Sequence, residues 1–171
     1  MPQPVLTVDD LIAWNERTHG EWRKLLAEHP EALAFPCDIT RTKSVAELFQ
    51  QIVSPEIRYA DELERLPITD YKDSPCASVE AIYATHDRAM ALCRELLAAE
   101  TMDWDGTYGF LTRSFGAARS TRKAVLFHAL LHGIRHYAQL TTLVRQHGVK
   151  HKLPQDYLIM QLEILNKTVA G

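Results

Sequence analysis

Glycine, cysteine and long apolar runs are all scarce in this sequence of 171 residues, and each shortage excludes a class of protein. The 7 glycines form no phosphate-cradling loop, and there is no internal repeat or low-complexity tract. The 3 cysteines, Cys37, Cys76 and Cys93, are odd in number and share no metal-site spacing. A disulfide framework is therefore not expected. They read as reduced packing thiols, which makes the cytoplasm the expected location. No apolar run approaches the roughly 20 residues that cross a bilayer, so no membrane association is expected. The opening MPQPVLTVDD lacks a basic segment followed by an apolar one, and no secretory leader is expected. Positive charge is short as well. With 19 Lys and Arg against 22 Asp and Glu, the net charge is -3, whereas a nucleic-acid binder needs clustered cations to neutralise phosphates.

What is present is helical periodicity over one domain, residues 1–171, long enough to bury a core without staples. The first helix is expected from about Val8 to Glu28, capped by Thr7 and carrying Asp9 and Asp10 in its first turn. Its inward face reads Leu11, Trp14, Thr18, Trp22 and Leu25. The second spans about Val45 to Leu66, with Ser44 and Glu47 as a capping box. Pro55 lies inside it, where a kink or a freed carbonyl is expected. The third spans about Val79 to Glu100 from a Ser78 cap, and places His86 on or beside the apolar side as a hydrogen-bonded histidine. Residues 101–120 are glycine-broken and aromatic, with a β-prone stretch at Thr107 to Thr112. The fourth helix, about Thr121 to His147, stops at Gly148, and a short helix follows from Asp156 to about Thr168. Four long amphipathic helices imply an all-α four-helix bundle.

The fourth helix carries the chemistry. His128, His132 and His136 recur every four residues, so successive imidazoles differ by about 40° and about 6 Å of rise. Two of them can converge on one ion, but all three cannot, because His128 and His136 lie about 12 Å apart along the axis. A pair at this spacing is also compatible with solvated or hydrogen-bonded histidines, and a metal site needs a further ligand from a neighbouring helix.

The stretches LFHALLHGIRHYAQLTTLVRQHG, PQDYLIM and SVAELFQQIVSPEIRYADEL resemble the bundle helices of the DinB/YfiT-like superfamily. The resemblance implies an up-down-down-up bundle and a divalent ion, zinc or nickel, held by three histidines. Two of these map onto His132 and His136. The third falls at Gln51, a neutral and weaker donor, which leaves occupancy of the site open. Gln139 is expected to orient His136, and Tyr59 and Arg58 to line the pocket. The resemblance further implies a homodimer and a low-molecular-weight thiol or other small molecule as partner. It is compatible with two functions. One is a metal-dependent enzyme, a thiol S-transferase or a hydrolase. The alternative is a non-enzymatic, small-molecule-binding or stress-associated bundle whose metal site has decayed at Gln51.

Overall fold

The computed structural model describes residues 6–153 and 155–162. Four long helices, α1 (Val8–Glu28), α2 (Val45–Leu63), α3 (Val79–Ala98) and α4 (Arg122–Gln146), are joined by short 3-10 turns and one hairpin. A five-residue helix, α5 (Tyr157–Gln161), follows. The remainder of the final helix expected toward Thr168 lies outside the described residues. No helix among the described residues is long and apolar enough to cross a membrane.

Local chemistry sets the helix starts. The side chains of Thr7, Ser44, Ser78 and Thr121 each accept the backbone N–H three residues on, which satisfies a donor that the helix itself leaves unpaired. Glu47 does not close the capping box expected with Ser44; its carboxylate accepts from the Lys43 N–H instead. α2 runs without a break through Pro55. It ends at Leu63 rather than Leu66 because Arg65 adopts a left-handed φ of 58°. Leu66 then donates back to the Asp61 carbonyl at 2.8 Å, and a C-terminal turn of this kind ends a helix even without glycine. Gly148, with φ 88°, ends α4 by the same device through Val149 N–H to Val144 O at 3.1 Å.

The expected irregular region contains an antiparallel hairpin, β1 (Thr107–Thr112) with β2 (Gly116–Thr121), in register from Thr107 opposite Thr121. It folds over α2, where Arg58 Nη2 donates to the Leu111 carbonyl at 3.0 Å.

The core has two apolar layers. One gathers Trp22, Phe49, Ile52, Tyr83 and Tyr137, and the other Leu11, Ile57, Met90, Leu126 and Leu130. On each long helix, the residues between the two layers are polar: Asn15 and His19 on α1, Glu56 on α2, His86 on α3, and His132 and His136 on α4. A polar level therefore crosses the bundle. Burying such groups is costly unless they are bonded to one another, so side chains from different helices must find partners at this level. α2 and α4 approach closely here because Gly133 has no side chain. A Cβ there would come within 2.9 Å of Ile52 Cγ2 and 3.2 Å of the Tyr137 ring.

Candidate metal centre

Glu56 is the hub of the polar level, with no exposure at all. Its Oε1 accepts from His19 Nε2 at 2.9 Å and from Asn15 Nδ2 at 3.2 Å, and its Oε2 accepts from His86 Nδ1 at 2.9 Å. Asn15 Nδ2 also donates to the Leu130 carbonyl at 2.9 Å, which ties α1 and α2 to α4. The His19 and His86 rings are stacked, with centroids 3.5 Å apart and planes 14° apart. Tyr83 and Tyr137 stand edge-on to His19 at 5.9 and 5.1 Å.

Electrostatics follow from this burial. Removal from water disfavours the imidazolium and pulls the pKa of His19 down to about 4, against the attraction of Glu56. Burial alone would raise the carboxyl of Glu56, but the two imidazoles and their hydrogen bonds outweigh it and hold the group well below the usual range. At neutral pH the centre is therefore a buried carboxylate facing a neutral His19. His19 Nδ1 is buried and has no partner among the described residues.

His19, Glu56 and His86 form a donor set fit for a metal ion, with one ligand atom from each and all within 4.8 Å of one another. Two imidazoles and a carboxylate suit a borderline divalent cation. The set opens onto a cleft of about 440 Å³ between α1 and α3, whose lining includes His19, Tyr83, His86 and Met90. The cleft is bordered by two ion pairs across the same helices, Arg23 to Asp87 at 3.2 Å and Arg94 Nη2 to Glu16 at 2.6 Å.

The residues expected from the sequence lie on another face of the polar level. His132 is half-buried and His136 buried, with ring centroids 5.0 Å apart. Gln139 accepts from His136 Nδ1 at 2.9 Å, which leaves Nε2 as the acceptor. That Nε2 receives the Nε–H of Arg135 at 3.4 Å, and Nη2 of the same guanidinium reaches His132 Nε2 at 3.1 Å. Burial, reinforced by the neighbouring His136 ring and the Arg135 guanidinium, pushes the pKa of His132 down to about 3. Burial also lowers that of His136, although its bond to Gln139 opposes the shift. The charge of Glu56 reaches His132 as well. Gln51 sits half-buried on α2. Arg58 and Tyr59 attend to the hairpin: Arg58 bonds to Leu111, and the Tyr59 ring stands edge-on to Phe110 and His128.

His86 is the hydrogen-bonded core histidine that its position on the third helix suggested, but its partner was not legible. His19 escaped the sequence reading altogether. The signal that could have found it is Asn15 and His19, polar residues four apart and in register with the stripe of Leu11, Trp22 and Leu26. No curated protein matches the sequence. The DinB family pattern matches residues 1–164, a span holding all four long helices and both histidine groups, and the chain belongs to the DinB family.

Proposed function

We propose that the protein is a divalent-metal-dependent enzyme whose ion is held by His19, Glu56 and His86, with thiol S-transfer or hydrolysis as its chemistry. The observation that carries this reading is the donor set itself, drawn from three helices and adjoining an open cleft. A bound zinc or nickel ion would supply Lewis-acid activation of a thiol or of water. The chain's own residues do the rest. Glu56 brings the negative charge that a cation requires, and Asn15 fixes the orientation of Oε1. His19, neutral at pH 7, turns the Nε2 lone pair to an ion once its proton lies on Nδ1. Met90 and Tyr83 give the cleft an apolar lining against which the stem of a small thiol can pack. Homodimerisation, a cytoplasmic location and the up-down-down-up winding belong to the same reading.

Metal content measured by mass spectrometry on untagged protein tests it. Wild type should carry a stoichiometric ion that Glu56→Gln loses and His132→Ala keeps, with helicity unchanged by circular dichroism. If His132→Ala strips the ion while Glu56→Gln retains it, the centre belongs to His132 and His136 with Gln51. Thiol conjugation to a generic electrophile then reads the activity.

One observation favours a second reading, a small-molecule-binding or stress-associated bundle without metal. Both oxygens of Glu56 already accept from an imidazole, so the hub is satisfied as a structural network. On that reading, wild type is isolated free of metal and Glu56→Gln lowers only stability.

A further inference from the structure

His132 and His136 present two Nε2 lone pairs from one helix face, and the resemblance to the DinB/YfiT-like superfamily implies an ion between them. The residues do not fit that ion. Both lone pairs already face one cation, the guanidinium of Arg135, with Nη2 3.1 Å from His132 Nε2 and Nε 3.4 Å from His136 Nε2. The third position expected of the site holds Gln51, whose carbonyl oxygen is a weaker and uncharged donor for zinc or nickel. We propose that Arg135 is a built-in cation that occupies the donor focus of His132 and His136 in place of a metal and keeps this pair closed to one. The inference is independent of the proposed centre at His19, Glu56 and His86.

Three features support it. Arg135 lies three residues after His132, the helical spacing that brings side chains together, and its Nε–H also points to the ring of the adjacent His136 at 3.4 Å. Gln139 fixes the His136 tautomer with Nδ1 protonated, aiming the Nε2 lone pair at the guanidinium. A guanidinium presents several N–H groups in a rigid fork. That fork matches two imidazole acceptors, and its fixed charge opposes a second cation at the same place. Like-charge repulsion from the guanidinium disfavours a divalent ion at the same place.

The test is a cobalt(II) titration of the full chain after chelator treatment, read by visible d–d absorption, with wild type, Arg135→Gln, Arg135→Gln/His132→Ala and His132→Ala compared. Arg135→Gln should take up an ion that wild type does not, at least tenfold tighter than any weak second binding in wild type. The double variant should lose it, and His132→Ala alone should change nothing. Arg135 is exposed, so the substitution leaves the core intact, which circular dichroism checks. Long-range 15N spectra of wild type add a second readout: the Nε2 atoms of His132 and His136 should be unprotonated acceptors. The proposal is overturned if Arg135→Gln gains no ion, if His132→Ala removes one from wild type, or if the two Nε2 atoms carry protons. Failure of the centre at Glu56 would appear separately, as a wild type that binds no cobalt while Arg135→Gln still gains its ion.

Discussion

The clearest consequence of the buried hub is a pH dependence of folding that can be assigned to His19. In the unfolded chain this imidazole takes up a proton below its ordinary value of 6.5, but in the fold burial delays uptake to about 4. Between those values the unfolded state binds the extra proton, so stability is fully present above 6.5 and drains away as the pH falls toward 4. A span of about 2.5 pH units, at about 1.4 kcal/mol each, removes about 3 kcal/mol. That is a large share of a domain's total stability. His19→Gln retains an N–H that can reach Glu56 but has no proton to take up. Urea unfolding of chelator-treated protein at intervals from pH 7 to pH 4 measures the difference. Wild type should lose about 3 kcal/mol more than His19→Gln over that range. His132, also held low by burial, titrates in both proteins and cancels in the comparison. Parallel curves would refute the reasoning, since they would mean that His19 carries its proton inside the fold.

Two further perturbations probe how the polar level is held. Gly133→Ala places a methyl against Ile52 and Tyr137 and should cost about 1–3 kcal/mol by forcing α2 from α4, measurable as a lowered Tm. Arg58→Ala should leave the four long helices intact but release the hairpin, seen as faster amide exchange at Leu111 and its neighbours, because the Arg58 bond to the Leu111 carbonyl is lost.

Much of this protein could be read from its sequence because the relevant physics is local. Thr7, Ser44, Ser78 and Thr121 start helices by bonding backbone three residues away, and Gly148 stops one by its own φ. The His132, His136 and Gln139 contacts follow from helical spacing alone, which fixes the angle and rise between residues of one helix. The end of α2 was less legible, since it depends on Arg65 accepting a left-handed conformation that sequence composition gives no reason to expect. The association of Glu56 with His19 and His86 could not be read at all. These residues lie 37 and 30 positions apart from it, on three helices, and no spacing rule relates them. Only the rotation and depth at which the two apolar layers lock the helices together bring their side chains to one level, where burial forces the polar groups to bond. Local chemistry thus determined the helices and the histidine pair of α4, while packing alone decided that a second histidine group forms around a buried carboxylate.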